Sequence, residues 1–162
     1  MLTLVMPWAD TETLSLQESL PGRRNAARWY GANSDWETPP EVFDPLNAEF
    51  GFTLDPCATS ETAKCDRYYT EADNGLARSW EGETVFMNPP YGKGMSEWTK
   101  KAAHSGAVVV GLLPAQVDSV WWHRDVLAEG AEIRYIRGRV KFRVGRGWNS
   151  PFTPVLLVVW RP

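Results

Sequence analysis

A chain of 162 residues, 43% hydrophobic and 23% charged, can bury one real core; this excludes a fibrous or wholly disordered protein and favours a single domain. No apolar run reaches the roughly 18 residues of a membrane helix, no basic-then-apolar leader opens the chain, and two cysteines, Cys57 and Cys65, are too few for a disulfide scaffold or a zinc site by themselves. A reduced, cytoplasmic protein is the expectation, and the net charge of −3 hides a split: 15 acids against 6 bases in residues 1–87, then 5 against 11 in residues 88–162, which reopens a polyanion partner for the C-terminal half.

In chain order, residues 1–34 read as a poorly ordered lead-in with weak periodicity and a basic turn at Pro21-Gly22-Arg23-Arg24-Asn25. A single domain is expected over residues 35–162. Thr38-Pro39-Pro40-Glu41 reads as a helix start, with Thr38 as N-cap, Pro39 as first helical residue and Glu41 closing a capping box. Val42, Phe43, Leu46 and Phe50 then share a helical face, Pro45 predicts a kink or early break, and Gly51 predicts the C-terminal stop. Phe52-Thr53-Leu54-Asp55 is a short predicted strand, Thr59-Ser60-Glu61 a short helix, Arg67-Tyr68-Tyr69-Thr70 a possible strand, and Asp73-Asn74-Gly75 a turn.

Thr84-Val85-Phe86-Met87 is a predicted strand running into Asn88-Pro89-Pro90-Tyr91-Gly92. A helix with Met95, Trp98 and Ala102 on one face follows. The continuous apolar run over residues 107–113 suits a strand buried on both faces. Residues 117–128 read as a helix facing in with Val120, Trp121 and Leu127; residues 132–137, 139–144 and 155–160 read as strands. Strands alternating with helices, then a C-terminal antiparallel hairpin, predict a three-layer α/β domain with a mostly parallel sheet.

In open α/β sheets, ligands bind beyond the carboxyl ends of strands, and two strand ends here carry chemistry: Asp55-Pro56-Cys57-Ala58 and Asn88-Pro89-Pro90-Tyr91. Asn88 offers an amide oxygen and Pro89 a carbonyl with no N–H, on a backbone stiffened by two prolines, beside the flat ring of Tyr91. A rigid pair of acceptors next to a stacking surface suits a planar group with an exocyclic NH2; the plainer alternative is an ordinary turn after a strand.

Asn88-Pro89-Pro90-Tyr91 resembles the Asn/Asp-Pro-Pro-Tyr signature of S-adenosylmethionine-dependent amino-methyltransferases. Thr38-Pro39-Pro40 resembles the Thr-Pro element ahead of the cofactor strand in adenine methyltransferases, Leu54-Asp55-Pro56-Cys57-Ala58 the end of that strand, and Gly138-Arg139-Val140-Lys141-Phe142 the late Gly-Arg strand. Phe50-Gly51-Phe52-Thr53-Leu54-Asp55, Arg67-Tyr68-Tyr69-Thr70, Leu113-Pro114-Ala115, Trp122-His123 and Ser150-Pro151-Phe152 are similar to the compact phage-type Dam family of DNA N6-adenine methyltransferases. The resemblance spans roughly residues 35–160. It implies a Rossmann-like methyltransferase fold, a phage or prophage origin with the host cytoplasm as location, and S-adenosylmethionine as cofactor, held by Thr38, Pro39, Asp55, Pro56, Cys57, Asp73 and Asn88. An Asx turn is the alternative for Asp73. The family's usual glycines after the strand acid are replaced by Ala58, Thr59 and Ser60, and only 32 residues separate Asp55 from Asn88, so the middle of the sheet is expected to be trimmed.

The implied reaction methylates adenine N6 in double-stranded DNA, with Asn88, Pro89, Pro90 and Tyr91 as catalytic residues. The target base leaves the duplex and stacks on Tyr91, Asn88 and the Pro89 carbonyl accept hydrogen bonds from N6, and neither metal nor covalent nucleophile is needed. Independently of the resemblance, six bases fall within residues 134–146, and Arg137, Arg139, Lys141 and Arg143 alternate, so a strand puts them on one face that can track phosphates. A solvated strand face is the alternative for these bases; Arg146 and His123 are further candidate DNA contacts, and a packed histidine beside Trp122 is the alternative for His123. The loop Gly145-Arg146-Gly147-Trp148-Asn149 is basic and aromatic; Gln116 and Asp118 lie near a strand end, whereas Trp121 reads as core, His104 as a helix-end residue and Cys57 as inert. Two other readings remain: methylation of an RNA base or a protein glutamine, and a catalytically inactive DNA-binding relic of the fold.

Overall fold

Two consecutive prolines launch the first helix of the computed structural model, which describes residues 36–162. The expected lead-in of residues 1–34, with its turn at 21–25, lies outside the described residues. Helix α1 spans Pro40–Phe50, and its N-cap is Pro39 rather than Thr38, with no side-chain cap bond. The expected capping box is therefore corrected: the fixed φ of proline starts the helix, and the Thr38 hydroxyl is used elsewhere. Nor does Pro45 end the helix, which continues to Phe50. Pro45 lies on the exposed face, where the carbonyl it leaves unpaired can be hydrated, while Phe43 and Leu46 anchor the opposite face in the core. Gly51 stops the helix at φ 65°, its N–H bonding the Asn47 carbonyl.

The strands are β1 (Leu54–Asp55), β2 (Arg67–Tyr68), β3 (Thr84–Met87), β4 (Val108–Pro114), β5 (Glu132–Tyr135), β6 (Phe142–Val144), β7 (Gly147–Asn149) and β8 (Val155–Trp160). Six of them form one sheet in the order β2-β1-β3-β4-β8-β5. β2, β1, β3 and β4 are mutually parallel; β8 is antiparallel to both β4 and β5. The mostly parallel sheet is thus as expected, and β1 and β2 are cut to two residues each. Between them runs only the 56–66 connection, in which Thr59 closes a single turn with Thr62 and Ala63; the helix expected at 59–61 is absent.

The expected C-terminal antiparallel hairpin is present. It is β6–β7, a two-stranded sheet of its own closed at residues 145–146, so part of the anticipated 145–149 loop is strand. β8 instead inserts between β4 and β5 with all six residues buried. At that central position both backbone edges of the run are paired and both of its faces are covered.

Side-chain alternation splits the core into two clusters, one per sheet face. Val85, Met87, Val109, Leu113, Val158 and Trp160 face helix α2 (Met95–Ala103) and the segment around Trp122–Leu127. Phe86, Val110, Leu112, Leu157 and Val159 face α1, Val140 and Phe142. The Trp122–Leu127 segment is wound as a π-helix, with Ala128 N–H bonding the His123 carbonyl five residues back. The wider turn rotates the inward face relative to the expected Val120, Trp121 and Leu127: Trp121, Trp122, Asp125 and Val126 are buried. Asp125 is fully enclosed, bonded by Thr99 Oγ1 at 2.5 Å and by Arg124, and so ties this segment to α2. No helix among the described residues is long and apolar enough to cross a membrane.

Candidate active site

β1 and β3 are parallel neighbours, with Leu54 opposite Val85, so Asp55 and Asn88 emerge at the carboxyl ends of adjacent strands. Between them lies a narrow cleft lined by Asp55, Cys57, Thr62, Lys64, Asn88 and the 36–38 segment. Four residues singled out in the sequence therefore converge: Thr38, Asp55, Cys57 and Asn88.

Asp55 is 4% exposed. Its carboxylate accepts the Cys57 N–H at 3.3 Å and the Lys64 N–H at 3.1 Å. Burial outweighs these bonds and pushes its pKa up to about 6. A carboxylate this desolvated gains strongly from a cationic ligand. Burial likewise pushes the Cys57 thiol well above its ordinary range, with the Asp55 charge adding to the effect and the Asn88 N–H opposing it. The thiol stays protonated, as the inert reading of Cys57 requires.

Asn88 donates from Nδ2 to the Trp36 carbonyl at 3.0 Å and to Thr38 Oγ1 at 3.2 Å. Its Oδ1 is left as an acceptor. Pro89 is buried behind it and Pro90 exposed. Tyr91 is anchored by its hydroxyl, which donates to the Leu112 carbonyl at 2.9 Å, and its ring meets Phe142 edge-on at 6.5 Å. A tyrosine held at both ends is a fixed platform.

Pro56 is seated by Gly75, where an added Cβ would fall 2.1 Å from the Pro56 carbonyl oxygen. Asp73 does not line the cleft; its carboxylate accepts the Thr70 N–H at 2.9 Å and hydroxyl at 2.7 Å, bonds that hold its pKa below the usual range. That is the local-turn alternative, and the turn presents Gly75 to Pro56. Gly75→Ala is expected to displace the Asp55-Pro56 strand end and cost about 1–3 kcal/mol, the range for overpacking, measurable by chemical denaturation.

Arg137, Arg139, Lys141, Arg143 and Arg146 are exposed while Val140 and Phe142 are buried, but only residues 142–144 are strand, so the single strand face expected over 137–143 is not formed. They are not equivalent. Arg139 donates to the carbonyls of Pro151 and Phe152 at 2.8 and 2.7 Å, and Arg143 lies 4.0 Å from Glu37. Arg137, Lys141 and Arg146 make no ion pair among the described residues. Trp148 and Phe152 are 61% and 74% exposed beside them in the chain. His123 is exposed rather than packed against its neighbouring tryptophans, and His104 caps the end of α2. Arg134 is spent on Glu49 and Glu132.

Sequence reasoning missed Glu37 and Lys64, whose side chains pair at 3.0 Å on the cleft wall. One signal was available: Lys64 is the sole base between Arg28 and Arg67 in the acidic half.

Comparison with known proteins identifies the family. The family described as DNA N-6-adenine-methyltransferase (Dam) matches residues 30–162. The DNA N-6-adenine-methyltransferase of Haemophilus phage HP1 is 30% identical over 137 residues, covering 78% of this chain and 78% of that protein. The DNA N-6-adenine-methyltransferase of Escherichia phage T1 is 34% identical over 107 residues, covering 62% of this chain but 44% of the phage protein, so the match spans less than half of that relative's length.

Proposed function

Because the chain belongs to the DNA N-6-adenine-methyltransferase (Dam) family, we propose that it methylates N6 of adenine in double-stranded DNA, on a Rossmann-like methyltransferase fold formed as one domain and encoded by a phage or prophage. The observation that carries this reading is the pairing of Asp55, a buried carboxylate suited to a cation, with the Asn88 amide oxygen across one cleft. S-adenosylmethionine fits that donor set: when bound, it supplies a methyl group on a positively charged sulfur.

The residues of the chain then have distinct tasks. Asp55 holds positive charge, with Pro56 and Cys57 shaping the strand end around it and Thr38 and Pro39 forming the opposing segment. Asn88 Oδ1 and the Pro89 carbonyl accept hydrogen bonds from the N6 amine, drawing its lone pair out of conjugation. Pro90 stiffens that corner. Tyr91 presents a ring on which an extruded base stacks, recovering part of the few kcal/mol that extrusion costs. Positioning and electrostatics supply the acceleration, with no covalent intermediate.

Duplex binding is assigned to the exposed basic stretch 137–146 that leads into the hairpin, with Arg137, Lys141 and Arg146 as the phosphate contacts that carry no competing ion pair among the described residues. Arg139 and Arg143 contribute from positions that also brace the fold, and His123 lies on a separate exposed helical turn. Lys141→Ala and Arg146→Ala are each expected to weaken DNA binding for all sequences alike and to lower the slope of log K against log salt by about 1, checked by titration at several salt concentrations.

The test of the function is transfer of label from S-adenosylmethionine to adenine-unmethylated duplex DNA, with nucleoside analysis of the product. N6-methyladenine is the expected outcome. Label in RNA or protein instead would overturn the substrate, and absence of both transfer and cofactor binding would overturn the activity.

A further inference from the structure

We propose that residues 36–38 are a positioning strap for Asn88 and that Thr38 acts on catalysis through that asparagine. The inference rests on the assignment of Asn88 above. An amide can face the Trp36 carbonyl in only one sense: a carbonyl oxygen accepts and never donates, so the group 3.0 Å from it is the NH2 of Asn88. The second hydrogen of the same NH2 goes to Thr38 Oγ1 at 3.2 Å. With both hydrogens committed, Oδ1 is turned away from the strap and left to accept from a substrate amine. Free to rotate, the side chain would offer a donor to the amine as readily as an acceptor.

Thr38 is 2% exposed, and α1 starts without using it as a cap. Its buried hydroxyl serves Asn88.

The strap is itself pinned at several points. Glu37 and Arg143 exchange both backbone hydrogen bonds at 3.0 Å, which joins the strap to β6. Trp36 lies against Phe142 at 5.5 Å between ring centres. The Glu37 carboxylate meets Lys64 Nζ at 3.0 Å, and the Lys64 backbone N–H bonds Asp55. The strap thus links the hairpin, the asparagine and the strand-end acid. It also dictates chemistry at position 88: an ionised aspartate there would set an oxygen against the Trp36 carbonyl, whereas a protonated one can donate to it.

Two variants at Thr38 and one at Asn88 test this in the full chain. Thr38→Val keeps the shape and removes the hydroxyl; single-turnover methyl transfer is expected to fall about tenfold, the worth of one buried hydrogen bond, while the Kd for S-adenosylmethionine and the KM for DNA stay within about threefold. Thr38→Ser restores the rate to within about threefold. Asn88→Asp is expected to be nearly inactive at pH 8, where its ionised carboxylate faces the Trp36 carbonyl. Loss of cofactor affinity in step with rate in Thr38→Val would overturn the proposal by making Thr38 a cofactor contact. Parent-like activity of Asn88→Asp at pH 8 would also overturn it, and this measurement decides the matter should Thr38→Val not fold. Full activity in Thr38→Val with none in Asn88→Ala would defeat the strap alone; full activity in both would defeat the assignment of Asn88 itself.

Discussion

Asn88→Ala is expected to lower turnover about 10²–10³-fold while leaving the Kd for S-adenosylmethionine within severalfold of the parent. The size follows from removing one preorganised group aimed at charge that develops only during transfer. Truncation removes the acceptor Oδ1 and also strands the Trp36 carbonyl and Thr38 hydroxyl, which Nδ2 now occupies. Stranding buried polar groups costs about 1–3 kcal/mol, so the melting temperature must be followed beside the rate. A fall in rate at a temperature where the variant is fully folded assigns the loss to the site. Turnover within threefold of the parent in a folded variant would remove Asn88 from the mechanism and, with it, the role given to Tyr91.

Asp55→Asn is expected to abolish cofactor binding and, in the same variant, to lose the parent's pH-dependent penalty. The carboxyl sits near 6 in the fold against an ordinary 3.8, because burial disfavours its charged form more than the Lys64 and Cys57 N–H groups favour it. For a group raised on folding, stability is fully present below the unfolded value and is lost as pH rises through the folded one. The ionised form therefore costs on the order of 3 kcal/mol above pH 7. The stability difference between variant and parent should shift in the variant's favour by on the order of 2 kcal/mol between pH 4 and pH 7, whatever its offset from the altered N–H contacts. Denaturant melts of both proteins across that range measure it.

The same acid sets a pH dependence for the ligand. A cation in the cleft binds the carboxylate, so Asp55 must release its proton below about pH 6, and affinity is expected to fall by up to tenfold per pH unit there. Calorimetry in buffers of different ionisation enthalpy would report the released proton. A Kd that is flat from pH 7 to pH 5 would separate Asp55 from the cofactor. A cleft that is expensive to ionise when empty is a reason to expect the protein to be more stable with cofactor than without.

Much of this was legible in the sequence because the signals are local. β3 and β8 fall on the runs Thr84-Val85-Phe86-Met87 and 155–160, α2 carries its expected face, and Asp55 and Asn88 end strands where prolines follow. Each of these depends on a period of two or 3.6, or on a residue that cannot continue an element. The Dam-like motifs named the family for the same reason, being short contiguous strings.

The departures share a cause of the opposite kind. Thr38 has every local mark of a helix cap, yet its hydroxyl is taken by Asn88, fifty residues away. Arg139 reads as one of a row of equivalent bases until two carbonyls from residues 151 and 152 claim it. Lys64 enters the cleft wall by way of Glu37 and the Asp55 carboxylate, partners that no spacing encodes. The π-winding at 122–127 overrides the 3.6 period because burying Trp121 and Trp122 together, with Asp125 clasped by Thr99, needs a wider turn.

The sequence by itself determined the strand ends, the chemical groups they carry and the family, since each is a property of a few adjacent residues. Only the tertiary structure decided that β8 lies between β4 and β5, that Asp55 is desolvated, and that a three-residue strap turns the Asn88 amide, because burial and hydrogen-bond partnership are set by segments that meet only once the sheet has closed.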